Sequence, residues 1–228
     1  MKMTPEQLSG VNNDHLAEIM FGQKAFLVHP QVVDDLLALK HAAAQAGYNL
    51  NIASGFRDFA RQKLIWNNKM AGDSVILDSN SQPLDSQTLT TDEKIMAILR
   101  WSALPGASRH HWGSDFDVFD RDSLPKETQL QLEPWEYLSG HQADFYLWLA
   151  GNLGKYGFFF PYQHDLGGVA PEPWHISHKQ VASRCLQQLT LQHLQQRLSL
   201  SPVLGNEVVL EKLETIYNQF ITNISGDE

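Results

Sequence analysis

Ser108-Arg109-His110-His111-Trp112-Gly113-Ser114-Asp115-Phe116-Asp117 is the stretch from which the rest of the chain can be read. After Gly113, where the backbone is free to turn, Asp115 and Asp117 alternate with Phe116 and Val118. That alternation predicts a short half-buried strand with both carboxylates on one face. The glycine lies between His110 and Asp117, so the turn can bring an imidazole and a carboxylate from neighbouring segments together. Asp115 is then a neighbour of that pair on the same face.

A second stretch, Glu172-Pro173-Trp174-His175, supplies a further imidazole and another carboxylate. A catalytic zinc ion takes three protein ligands from His, Asp, Glu and Cys and leaves a fourth position to water, whose pKa falls to about 7. His110, Asp117 and His175 form such a set, with the third ligand distant in sequence, as in sites assembled from separate elements. Glu172 is the candidate base, because a carboxylate beside a metal-bound water can take its proton and return it to a leaving amine. Pro173 biases Glu172 toward an extended backbone, and Trp174 offers an apolar wall. One histidine or aspartate alone is more often structural than a ligand; the joint spacing carries the weight here.

The pattern Ser-x-His-x-x-Gly-x-x-x-Asp over Ser108 to Asp117, followed by Glu-x-x-His over Glu172 to His175, resembles the VanY-like D-Ala-D-Ala metallopeptidases, a group similar in fold to lysostaphin-type peptidases and hedgehog domains. Ser54-Gly55-Phe56-Arg57, with Gln62 downstream, is similar to that family's Ser-x-x-Arg stretch. The resemblance implies an α+β fold, a small mainly antiparallel sheet flanked by helices. It implies one Zn2+ per chain on His110, Asp117 and His175, Glu172 as base, and Arg57 near the scissile carbonyl. There the guanidinium fork would grip the tetrahedral oxyanion or a substrate carboxylate. Ser54, Gln62, Ser108 and Trp174 would orient substrate. His110 is assigned as the ligand over His111 because its spacing matches the family pattern; adjacent side chains of an extended segment face opposite ways, leaving His111 to packing or to substrate.

The implied reaction is hydrolysis of an amide bond in a peptidoglycan-type peptide, releasing a terminal D-alanine. The same residues would also serve a D,D-dipeptidase or an L-Ala-D-Glu endopeptidase acting on stem peptides. From a different class, they would serve a non-catalytic zinc-stabilised binding module, against which the presence of both Glu172 and Arg57 argues.

Composition agrees with an enzyme. At 228 residues and 43% hydrophobic, the chain can bury a sizeable core as one domain with appendages. A net charge of -9, with no basic stripe, argues against a nucleic-acid partner, since phosphate binding draws on clustered Lys and Arg. The single Cys185 forbids an internal disulfide and reads as a small buried apolar residue. No apolar run reaches signal-peptide or membrane-spanning length. The expectation is a cytoplasmic protein without a membrane segment, although an exported form trimmed of its signal would read the same. Oligomeric state is not legible.

Residues 1–30 are expected to form a polar N-terminal arm, 31–180 the zinc peptidase core and 181–228 a helical C-terminal extension packed on the core. Within the core, helices are predicted near 31–46, 58–70, 90–101 and 143–156, with strands at 48–53, 115–119 and 158–160. The polar stretch 71–90 is read as a long loop bordering the cleft. One Gln- and Leu-rich helix is predicted through Val181, Leu186, Leu189, Leu194 and Leu198, and a second through Val209 to Phe220.

Overall fold

Thr4 begins the first element: its side chain accepts from the Gln7 amide while Gln7 reaches back to the Thr4 amide, a capping box that opens α1 (Pro5–Leu8). The computed structural model describes residues 2–225. Met1 and residues 226–228, the outer ends of the expected arm and extension, lie outside the described residues. After α1 come β1 (Ala17–Phe21) and β2 (Lys24–Val28), an antiparallel hairpin that turns at Gly22. The first thirty residues were expected to be polar, yet Met3, Leu8, Phe21 and Val28 are all buried in the main core. The hairpin buries one face only, so its other positions supply the polar character.

The segment then forms α2 (Val33–Gln45), β3 (Leu50–Ser54) and α3 (Phe59–Ala71). Asp58 caps α3 by accepting from the Arg61 amide, and Gly72, at φ +87°, ends it in the left-handed conformation that glycine adopts without strain. The polar stretch 71–90 holds a small hairpin, β4 (Ile76–Leu77) and β5 (Pro83–Leu84), tied down where the Trp101 indole donates to the Asp78 carbonyl at 2.9 Å. Thr90 and Glu93 form the expected capping box of α4 (Thr91–Leu99).

β6 (Asp115–Asp120) follows, then α5 (Pro134–Leu138), α6 (Ala143–Asn152), β7 (Phe158–Phe159) and β8 (His175–His178). β3, β6, β8 and β7 form, in that order, a four-stranded antiparallel sheet with β6 and β8 at its centre. Phe116, Val118 and Ile176 are fully buried, each contributing roughly 1.5–3 kcal/mol by leaving water. β6 is buried on both faces, not one. Its polar face is covered by its own ion pairs instead of by solvent, as described below.

α7 (Lys179–Gln188), α8 (Leu191–Leu200), α9 (Asn206–Glu211) and α10 (Leu213–Ile216) complete the chain, with a π-helical turn over Tyr217–Ile221. The helix expected to run unbroken through Val181 and Leu198 is two, because Thr190 caps a new start by accepting from the His193 amide. Leu194, Leu198, Val209 and Ile216 are buried in the same core as the sheet, and the Trp66 indole of α3 donates to the Leu204 carbonyl at 3.0 Å. Among the described residues no helix is long and apolar enough to cross a membrane.

Candidate active site

Sheet register places the central residues. Asp117 of β6 lies opposite Ser54 of β3 on one side and opposite His175 of β8 on the other, so the three share one row and one face. His110 joins them from a 3₁₀ turn, Arg109–Trp112, which Gly113 ends at φ +66°. A Cβ at Gly113 would come 2.9 Å from the backbone nitrogen of His29, so only glycine lets the chain turn there. The segment bearing His110 and His111 is thus helical, not extended; the two rings still diverge, His110 into the cleft and His111 into the interior.

His110 Nε2 lies 3.4 Å from Asp117 Oδ2, and His175 Nδ1 lies 3.3 Å from Asp117 Oδ1. One ligand atom from each of His110, Asp117 and His175 falls within 4.8 Å of the others. The far nitrogens set the tautomers: His110 Nδ1 meets the Asp115 carbonyl at 3.2 Å, and His175 Nε2 meets Asp115 Oδ1 at 3.2 Å. With each far nitrogen donating, both near nitrogens turn a lone pair toward Asp117. Asp117 Oδ1 is buried and has no hydrogen-bond donor. A buried carboxylate whose two oxygens each face an imidazole lone pair is what a divalent cation would satisfy, so the donor set fits a metal.

In the absence of an ion the carboxylates and rings act on one another. Burial alone would raise the Asp117 pKa, but the His110 and His175 rings, when protonated, bring it well below the usual carboxylate range. Burial alone would lower the pKa of His175, but Asp115, Asp117 and Glu172 together raise it. Asp115 is likewise held low against its burial, chiefly by Arg109.

Glu172 Oε2 stands 3.2 Å from His175 Nδ1, on the side of that ring facing Asp117. Its backbone amide donates to the Tyr162 carbonyl at 2.9 Å, and its carbonyl accepts from the His175 amide at 3.1 Å, so the side chain is presented from a fixed turn. Trp174 lines the cleft and packs its ring 5.7 Å from Tyr137, whereas Trp112 is core, its indole donating to the Leu8 carbonyl. Ser108 also lines the cleft.

Arg57 also lines the cleft, and its neighbour Asp58 caps α3. Its Nη1 donates to Gln62 Oε1 at 2.8 Å and its Nη2 to Ser54 Oγ at 2.9 Å. Gln62, with no exposed surface, in turn donates to the Ala103 carbonyl at 2.7 Å. Ser54 and Gln62, expected to orient substrate, are both engaged with Arg57. Both hold the guanidinium in place.

Sequence reasoning missed two neighbours. Arg109 is 4% exposed, donates to Asp115 Oδ1 at 2.7 Å and to Ser177 Oγ at 2.6 Å, and thereby fixes the carboxylate that orients His175. An arginine in sequence is weighted toward the surface, and only the adjacent ligand hints otherwise. Tyr162 packs its ring edge-on 5.1 Å from His175, with its phenol pKa pushed up to about 12 by burial; nothing in its local sequence marks it. His111 bonds to the Arg57 carbonyl from the interior, while His178 bonds to Asp35 and Asp120 to the Asn49 amide. The whole forms a cleft of about 330 Å³ whose lining runs from the His110 cluster out to Trp101 and the β4–β5 hairpin.

Known proteins resemble this chain in sequence and in fold. A family model described as VanY, D-alanyl-D-alanine carboxypeptidase, matches residues 25–181. An uncharacterised protein of Haemophilus influenzae is 38% identical over 121 residues, which is 52% of this chain and 92% of that protein. A solved structure of VanYB in complex with D-alanine-D-alanine superposes with a TM-score of 0.52 at 22% identity, over 78% of this chain and 87% of that one. A variant of the vancomycin resistance D,D-pentapeptidase VanY in complex with Zn(II) superposes with a TM-score of 0.50 at 23% identity, over 78% and 88% of the two chains. At these identities the two structures establish a shared fold.

Proposed function

Because the chain belongs to the VanY D-alanyl-D-alanine carboxypeptidase family, we propose that it is a zinc-dependent carboxypeptidase that removes a terminal D-alanine from a peptidoglycan-type peptide. The observation that carries this reading is the meeting of two imidazole lone pairs and an orphaned Asp117 oxygen with Glu172 Oε2, 3.2 Å from His175 Nδ1.

His110, Asp117 and His175 would hold the ion, as the Zn(II) bound to a VanY relative supports. When bound, zinc polarises a carbonyl and brings the pKa of a water to about 7. Everything else falls to the chain's own residues. Glu172 takes a proton from the attacking water and delivers it to the departing amine, a shuttle that needs one carboxylate presented to both. Arg57, pinned by Ser54 and Gln62, offers N–H donors to the oxygen that gains negative charge as the carbonyl becomes tetrahedral. Pinning matters because a donor fixed in advance loses no freedom when the charge develops. Trp174 and Tyr162 wall the cleft and limit water around those charges.

The choice of a terminal D-alanine is supported by the family description and by the D-alanine-D-alanine bound to VanYB. A D,D-dipeptidase or an L-Ala-D-Glu endopeptidase would use the same residues and differ in product. The test is elemental analysis of the purified protein together with a panel of synthetic muropeptides, read by mass spectrometry with and without chelator. The expected result is one zinc per chain and D-alanine release that stops on chelation and returns with zinc. A zinc-loaded protein that cuts nothing in the panel would favour the binding module and overturn the proposal.

A further inference from the structure

Lys69 stands in the last turn of α3 and lines the same cleft as Arg57, Glu172 and His175. Its Nζ donates to Ser102 Oγ at 2.8 Å. An ammonium has three donors, and among the described residues no carboxylate forms an ion pair with this one. Arg57 is likewise without an ion-pair partner, its fork held by two neutral groups. One partly enclosed cleft thus carries two cations that repel each other. Burial, together with Arg57, pulls the Lys69 pKa down, while Glu172 opposes the change.

The two cations are fixed by one short segment. Ser102 accepts from Lys69, and the next carbonyl, Ala103, accepts from Gln62, which holds Arg57. Gln62 and Lys69 lie two turns apart on α3, about 10 Å along its axis. Helical side chains lean back toward the N-terminus, so Lys69 reaches toward Arg57 and shortens that gap. Lys69 is near enough to both Arg57 and Glu172 for their charges to act on it. Unpaired cations withdrawn from water are costly, and an anionic group on the ligand would remove that cost.

We propose that Lys69 and Ser102 form a subsite for the free C-terminal carboxylate of the substrate, anchoring the residue just beyond the bond that is cut. This rests on the peptidase reading: Arg57 and Glu172 serve the scissile carbonyl, and Lys69 takes the chain end. The subsite makes the enzyme a carboxypeptidase in preference to an endopeptidase, because an internal peptide bond presents no charge to the ammonium.

The experiment compares one D-alanyl-D-alanine peptide as its free acid and as its C-terminal amide. Wild-type protein should prefer the acid in kcat/KM, and in Lys69→Met that preference should fall about 10- to 100-fold, the worth of a hydrogen bond to a charged group. The loss should appear mainly in KM for the acid, with zinc content unchanged, and Lys69→Arg should restore part of it. Ser102→Ala, which removes only a hydroxyl, should lower the preference less and serves if Lys69→Met does not fold. An acid-to-amide preference identical in wild type and Lys69→Met would overturn the subsite while leaving the peptidase reading intact. If zinc-loaded wild type cuts neither peptide, the peptidase reading fails. Calorimetric binding of the two intact peptides then reads the subsite alone: a preference for the acid that Lys69→Met loses supports it, and equal binding removes it.

Discussion

Oδ1 of Asp115 lies 3.2 Å from Nε2 of His175, and the same oxygen accepts from Arg109 Nε at 2.7 Å. One carboxylate oxygen thus selects the tautomer of the ring that faces Asp117 while a buried guanidinium balances its charge. Such outer partners of a ligating histidine are worth 10- to 100-fold in metal affinity, as a rough range. Asp115→Ala should therefore weaken zinc binding by about that factor in a competition titration against a chromogenic chelator. It should also cost about 3–5 kcal/mol in urea unfolding, because Arg109 is left as an unpaired buried charge. Asp115→Asn, which keeps an acceptor, should fall between. Wild-type zinc affinity in a folded Asp115→Ala protein would contradict the role.

Glu172 approaches His175 Nδ1 without belonging to the cluster of three ligand atoms. Replacing it with glutamine keeps the shape and removes the basic site. Zinc content of Glu172→Gln should match wild type while hydrolysis slows about 10²- to 10⁴-fold, the usual value of a proton-transfer group. Loss of zinc in that variant would instead make Glu172 a ligand. An unchanged rate would take it out of the reaction.

Gln62 is expected to act only through Arg57. A small misplacement of a positioned donor costs on the order of 10²-fold in rate, so Gln62→Leu should lower kcat about 10- to 100-fold with zinc content unchanged, and Arg57→Ala should lower it further. Groups that act as a unit are not additive. The Arg57→Ala, Gln62→Leu double variant should therefore be no slower than Arg57→Ala alone. Were Gln62 a direct substrate contact, the double variant would be slower by the full effect of each.

Much of the site was legible because its signals are local. Alternation of Asp and Phe around Gly113 marks β6, and Thr90 with Glu93 marks the start of α4. β8 gave no such signal: His175-Ile176-Ser177-His178 is short and mostly polar, and it is a strand because β6 and β7 pair with both of its edges. The β1–β2 hairpin was hidden for a related reason, since Glu18, Met20 and Lys24 face solvent and dilute the apolar pattern. At the break between α7 and α8 there is no glycine or proline, and Thr190 was the only mark. The partners of Arg57 were invisible for a different reason. That Gln62 turns inward to a guanidinium depends on α3 lying against Ala103, a contact across 41 residues of chain.

Two buried histidines should govern the acid stability of the fold. His111 donates from Nδ1 to the Arg57 carbonyl at 2.6 Å and accepts at Nε2 from the Gly106 amide at 3.1 Å, which leaves no place for a second proton. Burial pushes its pKa down to about 4 from an ordinary 6.5, and burial does the same to His29, whose Nδ1 accepts from the Gln31 amide. The unfolded chain therefore binds more protons than the folded one between pH 6.5 and 4, so their stabilisation is complete above 6.5 and lost as the pH falls through that window. Asp115 and Asp117, held low, lose theirs only below about 3.8. In the metal-free protein His175, raised above 6.5, loses its contribution as pH rises past that value and is flat below it. Urea unfolding of the chelator-treated protein at a series of pH values from 7 to 4.5 should thus show stability falling with acid, by at most about 1.4 kcal/mol per pH unit for each histidine. His29→Gln should flatten the slope by its share. A wild-type curve level across the window would mean that both rings accept protons within the fold, and the fixed tautomer of His111 would have to be abandoned.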